Sequence, residues 1–508
     1  MGRFGSSRPR GGFGRLWAAG TISNLGDGML LTAVPLLIST LTRDPLLVAG
    51  ATAAGQLPWL LLALPSGALV DRWDRRHVML AADGFRAVVV LGLAGVAVGA
   101  GAPFGILAVY LIAFLLASAE TFFDPASEAM IATIVPPDQL ASANGRLQTS
   151  TWLTNIFLGP AIGAFLFGLG AGWPFVADAA TFAIAVLIVA TLRGSYRAVV
   201  EASTPGLRRT PLRAEISEGA RWLAGHRLLR SLAVAAGLIN LATFGVVAIF
   251  VLYARDVLDV SGTAYGVLLS AVGLGGLVGA TIAPKAIRIL GPGGAIRVGL
   301  GLGAVAALVM SWSASVPVVV VASLGFGVML TFWNVAVITI RQRLVPDELR
   351  GRVMSVYRLL SWGSQPVGAV IGGVIASLLS LQAVFVTAAV TYVVMALVSL
   401  RILRGRAMPT LEADALSAPT FDATTAAVAE AASSRGGRLE GRMARPTGVG
   451  HATSLRDPDG RAPRLAGGPE PRLGLTVGSR DCVEGLTLDR LQGLGSDAWP
   501  PSPSQGSS

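Results

Sequence analysis

The sequence predicts an all-α polytopic membrane protein with twelve transmembrane helices in two pseudo-symmetric six-helix bundles. Three observations predict it: excess apolar content, a dozen separable apolar runs, and an internal repeat relating the second half to the first. Of 508 residues, 53% are hydrophobic and only 14% charged, and the mean hydropathy is +0.65, far above what a soluble domain of this length needs. At about 20 apolar residues per crossing, the stretch from Leu16 to Leu403 accommodates the dozen and excludes a single-span receptor.

An arm, 1–15, carries Arg3, Arg8, Arg10 and Arg15 ahead of an apolar run that continues through Leu37 with Asn24 and Asp27 inside it. That continuation reads as an uncleaved first helix rather than a signal peptide. Hydropathy and breakers then place spans near 16–38, 46–70, 78–100, 104–131, 146–169 and 173–192, forming an N-terminal bundle over 16–192. A linker, 193–230, has eight arginines and a surface helix expected from Pro211 to His226. The C-terminal bundle, 231–406, contains spans near 231–254, 264–284, 294–313, 317–340, 353–377 and 381–402. From Ala407 to Ser508, Gly, Pro, Ser and charged residues dominate and read as a disordered tail.

Arginine-rich short loops stay on the cytoplasmic side of a membrane. One set of alternating segments holds 27 basic residues, against only Arg43 and Arg255 in the other. Arm, linker and tail are therefore expected in the cytoplasm, in a multi-pass protein of the cell (inner) membrane. The duplication is visible at an offset of 209, where Pro137-Asp-Gln-Leu140 with Gly159 and Gly163 aligns on Pro346-Asp-Glu-Leu349 with Gly368 and Gly372. Halves duplicated in parallel suit a transporter that rocks about a central site.

Several function classes drop out. Lys285, the only lysine, lacks the glycines and following Ser or Thr of a phosphate-binding loop. Cys482 has no partner for a disulfide, and His77, His226 and His451 are scattered, so neither metal nor redox cofactor is expected. No nucleophile, base and orienting group recur at catalytic spacing, which speaks against an enzyme. The net charge of +11 is inflated by ten arginines in the tail and is not read as nucleic-acid binding.

The chemistry-bearing residues lie in and beside the spans. Asp27 falls about 16 Å into the first helix at 1.5 Å per residue. An ionised acid there costs at least ~2.5–3.5 kcal/mol, so it must face a cavity, pair with a partner or take up a proton, which makes it the first candidate for proton coupling. The alternative is a polar packing residue bonded to Asn24 or another helix. Glu120 in span four is the second coupling candidate. Asp124, one turn further, is either a contact for a cationic substrate or a cap for the helical segment after Pro125. Asp83 and Arg86, at i and i+3, read as an intrahelical ion pair, and Asp178 as an interfacial or outer-gate residue. Asn24 and Asn240, related by an offset of 216, are expected across the central cavity from one another. Trp152, Phe157, Phe332, Trp333 and Trp362 are candidates for an aromatic wall, with packing as the alternative.

Two motifs carry a resemblance. Gly67-Ala-Leu-Val-Asp71-Arg72-Trp-Asp-Arg75-Arg76, between spans two and three, is similar to the loop motif of the major facilitator superfamily, with Asp74 replacing its second glycine. Gly159-Pro160-Ala-Ile-Gly163 in span five partly resembles the drug:proton antiporter motif, with Asn155 and Ala164 at two glycine positions. Together with Ile22-Ser-Asn24-Leu-Gly26-Asp27, Asp83-Gly-Phe-Arg86 and Phe123-Asp124-Pro125-Ala126, these look like the macrolide-efflux and enterobactin-exporter-like branch over residues 15–405. The resemblance implies export of hydrophobic or amphiphilic small molecules by proton antiport with alternating access. Its partners would be a small-molecule substrate, protons and the lipid bilayer, and the chain would act as a monomer. The alternatives are an importer or lipid flippase of the same fold, or a non-transporting membrane sensor using the tail as its output.

Overall fold

Long apolar runs interrupted by Gly, Pro and Asp become helices that satisfy their own backbone polar groups, as the bilayer interior demands. A computed structural model describes residues 12–70, 72–99, 104–136, 139–194, 196, 212–346 and 349–403. The arm before Gly12, Asp71, the linker stretch 197–211 and the tail lie outside the described residues.

The first half contains α1 (Gly12–Leu41), α2 (Pro45–Leu61), α3 (Ala63–Val70), α4 (Arg75–Val98), α5 (Gly105–Ile134), α6 (Leu140–Thr151), a π-helical segment Trp152–Leu158, α7 (Gly159–Leu169) and α8 (Trp173–Ala190). A surface helix follows, α9 (Leu212–Gly225). The second half contains α10 (Arg227–Asp256), α11 (Gly262–Trp312), α12 (Val316–Leu344), α13 (Arg350–Trp362), α14 (Ser364–Leu378) and α15 (Leu381–Ile402). Every regular element among the described residues is helical. Side-chain caps set several starts: Asp44 Oδ1 accepts from the Leu46 amide at 2.8 Å, and Ser380 Oγ from the Ala383 amide at 3.1 Å.

Ten helical stretches, Ser142–Leu169 and Gly351–Leu378 among them running through more than one element, are long and apolar enough to cross a membrane, and two local features raise the crossings to twelve. The 51 residues of α11 turn back at Gly291, whose φ of 68° suits glycine, so α11 supplies spans eight and nine. Span two is broken between α2 and α3, which leaves Pro45–Leu61 too short alone. Span five is likewise composite, from α6, the π segment and α7. Large apolar side chains face outward along the bundle, including Val98 and Trp312, each 85% exposed, and Leu378 at 77%. That is the surface a bilayer covers.

The duplication is physical. A Cβ on Gly159 would fall 2.5 Å from Gly28 Cα, and one on Gly372 2.5 Å from Gly245 Cα, so span five crosses span one as span eleven crosses span seven. Between the halves, Gly262 abuts Leu36, Gly266 abuts Ala164 and Gly373 abuts Ala49. Arg255 donates across the same interface to the Ser39 carbonyl. All of these contacts lie toward the face carrying the arginine-poor loops.

Candidate functional site: a guanidinium shared by acids in the first half

Arg86, the basic residue buried inside the spans of the first half, organises the site. Its side chain is 3% exposed and forms ion pairs with Asp27 of α1 and, at 3.4 Å, with Asp83 of its own helix. The guanidinium carbon lies 4.2 Å from the ring centroid of Phe182 on α8, a cation–π contact. The i, i+3 pair anticipated from spacing is therefore present, but the closer partner comes from another helix. Asp27 is 17% exposed and sits at the edge of the cluster.

Glu120 and Asp124 project from α5 and are half-buried. Glu120 acts electrostatically on Arg86, and Asp124 on Arg86 and on Arg358 of α13. The capping alternative for Asp124 fails, because α5 runs unbroken through Pro125 to Ile134. Asp178 corrects another expectation: it is 0% exposed rather than interfacial, with its Oδ1 accepting from the Thr181 hydroxyl at 3.2 Å. Asp83 Oδ2, Arg86 Nε and Asp178 Oδ2 are buried without a hydrogen-bond partner among the described residues.

The second half is neutral at the equivalent place. Thr243 stands at the same offset from Asp27 as Asn240 does from Asn24, and its hydroxyl pairs with Tyr392 at 2.9 Å, fully inside the bundle. The two amides bond within their own halves: Asn24 donates to the Gly20 carbonyl at 2.7 Å and Asn240 to the Ser361 carbonyl at 2.9 Å.

The antiporter-like motif packs span five between the halves. Pro160 presents its carbonyl to Thr32 at 2.9 Å, and a Cβ on Gly163 would fall 2.5 Å from the Met29 carbonyl. Trp152 lies against Gly276 of α11, a position where a Cβ would meet its ring at 2.2 Å, so it joins the two halves. Trp333 is only 8% exposed and, in the second-half core, lines a small apolar space with Leu232, Ala235 and Ile296. Phe332 is buried likewise, and Trp362 meets Trp59 edge-on at 5.2 Å.

In the loop motif, Arg75 donates to Thr133 at 2.8 Å and Arg76 to the Ala190 carbonyl at 2.8 Å, tying α4 to α5 and α8. Arg72 is exposed. Asp74, in place of glycine, caps α4 through the Arg76 amide at 3.0 Å and accepts from the Tyr196 amide at 3.1 Å. Among the described residues nothing lies within 4 Å of a Cβ built on Gly67, so no close approach is seen there.

Reading by sequence missed the Arg86–Asp27 pair, the burial of Asp178 and the π segment. The available signal was that Arg86 is the basic residue left inside the membrane while the acids inside spans all fall in the first six.

Residues 9–439 match the family described as transmembrane secretion effector. An uncharacterised MFS-type transporter of Mycobacterium tuberculosis is 31% identical over 374 residues, covering 69% of this chain and 82% of that protein. The multidrug efflux pump Tap of Mycolicibacterium fortuitum is 28% identical over 388 residues, covering 73% and 90%. Among solved structures, the nucleoside transporter NupG superposes with a TM-score of 0.63 at 12% identity, over 78% of this chain and 99% of that one. A bacterial homologue of the iron transporter ferroportin in an inward-facing state gives 0.61 at 17%, over 77% and 98%. With twelve spans in two repeated halves and a match over most of its length, the chain belongs to the transmembrane secretion effector family of major facilitator transporters.

Proposed function

We propose that the protein exports hydrophobic or amphiphilic small molecules by proton antiport, with Asp27 as the coupling carboxylate. The observation that carries this reading is the Asp27–Arg86 pair inside the bundle. A carboxylate in the bilayer interior needs either a counter-ion or a proton, and a partly exposed acid held by one guanidinium can alternate between them. Glu120 and Asp124 are the next acids toward the second half, and we assign them contact with the substrate or a second proton. Export is supported by the 28% likeness to a multidrug efflux pump and by the partial antiporter motif at Gly159, Pro160 and Gly163.

The reading places the termini and the 193–230 linker in the cytoplasm of a monomer in the inner membrane. The inter-half contacts at the arginine-poor face then hold the outer side closed, and Trp152 against Gly276 and Trp362 against Trp59 continue the seam inward. Inward proton flow, worth ~2.3 kcal/mol per charge per 100 mV, would drive the substrate outward. The test is dye or macrolide accumulation in energised inverted vesicles. Accumulation by wild type that is lost with a protonophore, and lost in Asp27→Asn at unchanged membrane abundance, is the expected result. Accumulation indifferent to the protonophore overturns proton coupling.

A further inference from the structure

Asp178 has no part in the reading above, yet it is fully buried beside the coupling site. Its Oδ1 takes the Thr181 hydroxyl and its Oδ2 has no partner among the described residues. Gly26 brings the backbone of α1 onto this carboxyl: a Cβ there would stand 1.9 Å from Asp178 Oδ1, and the next residue is Asp27. The charged groups acting on Asp178 are Asp27 from α1 and Asp83 and Arg86 from α4, while Glu120 from α5 also acts on Arg86.

Charge arithmetic then decides what Asp178 is. The single charge of Arg86 is already shared by Asp27 and Asp83, so Asp178, which makes no ion pair with it and has an unmet oxygen in a dry interior, is kept neutral rather than added as a third carboxylate. Arg86 Nε is meanwhile unused. Its guanidinium lies over Phe182, one turn from Asp178 on α8.

We infer that Asp178 is a second proton-carrying residue: Asp27 and Asp178 hold one proton between them, and Arg86 is the counter-ion of whichever is ionised. In the present arrangement Asp27 is the carboxylate and Asp178 carries the proton. When Arg86 turns from Asp27 to Asp178, the O–H bond at Asp178 breaks and one forms at Asp27, leaving the charge of the cluster unchanged. Asp27, 17% exposed, can then exchange that proton through its exposed edge, which the buried Asp178 cannot. This inference rests on the assignment of Asp27 to proton coupling.

The test is infrared spectroscopy of the purified full chain in lipid vesicles at neutral pH. The difference spectrum of wild type minus Asp178→Asn is expected to contain the carbonyl stretch of one protonated carboxylic acid, shifted in deuterium oxide, whatever the other buried acids contribute. The same band is also expected to vanish in Asp27→Asn, because Arg86 is then free to pair with an ionised Asp178. A purely structural Asp178 would not respond to a change at Asp27. Survival of the band in Asp27→Asn, or no such band in the difference spectrum, overturns the inference. If Asp178→Asn fails to fold, the wild-type and Asp27→Asn pair still gives the result. The spectra require no transport. Efflux indifferent to the gradient with the band pattern intact overturns only the coupling reading, and gradient-driven efflux without the pattern overturns only the shared proton.

Discussion

Replacing Arg86 by methionine tests whether one guanidinium holds the polar centre of the first half. Methionine keeps an unbranched apolar stem, so the loss is the charge, its pairs with Asp27 and Asp83, and the contact over Phe182. Removing one partner of a buried pair costs ~3–5 kcal/mol, and the cation–π contact adds about 0.5–2 kcal/mol. We expect Arg86→Met to lower the unfolding free energy of the purified chain, measured by SDS titration in mixed micelles, by about 4–6 kcal/mol. The deficit should shrink as pH falls, because protonated carboxyls no longer need a counter-ion. Removing the stranded charge as well, in Asp27→Asn/Arg86→Met, should recover at least ~1 kcal/mol, within the range of coupling energies for groups in contact. A single variant within about 1 kcal/mol of wild type, or strictly additive single effects, would refute the assignment of Arg86 as the counter-ion of Asp27.

Two further outcomes follow from packing. Gly28→Leu should destabilise by ~1–3 kcal/mol in the same titration, because its Cβ would meet the backbone of Asn155 at 2.4 Å, whereas Gly67→Ala, with open space around it, should hold or raise stability. Thr243→Val strands the buried Tyr392 hydroxyl and should cost about 1–3 kcal/mol, while leaving the gradient dependence of vesicle transport as in wild type.

The helices were legible because a membrane crossing is written as uninterrupted apolar length, which needs no knowledge of neighbours. Breaks within spans were less legible. Nothing in Leu61 to Ala63 announces the interruption of span two, and Gly291 punctuates a run that reads as two spans by hydropathy alone. The repeat was legible through Gly159, Gly163, Gly368 and Gly372, since helix crossings at backbone distance admit little else. Partnership across helices was not. Spacing offers Asp83 to Arg86 three residues away, but the closer Asp27 lies 59 positions off, and only the packing of both α1 and α4 on α8 joins them. Aromatic residues left two readings open for a related reason: Trp333 looks the same in sequence on a cavity wall and in a core, because in an apolar helix neither face is marked by polarity.

The duplicated scaffold also explains where chemistry had to be confined. Two copies of one six-helix plan begin with equivalent interiors, yet only the first carries acids within its spans, and Thr243 with Tyr392 fills the place opposite Asp27 with a neutral hydrogen bond. A carboxylate in the bilayer costs several kcal/mol unless compensated, so a second charged centre would double that burden without adding a second gradient to couple to. In the proposed reading, a neutral second half leaves an apolar interface for an amphiphile to pass. It also lets the charge state of one half alter the balance between the two packings across Gly266, Gly273 and Gly276. Coupling in this reading follows from asymmetry: the halves share a fold so that they can rock, and differ at Asp27 so that a proton decides which way.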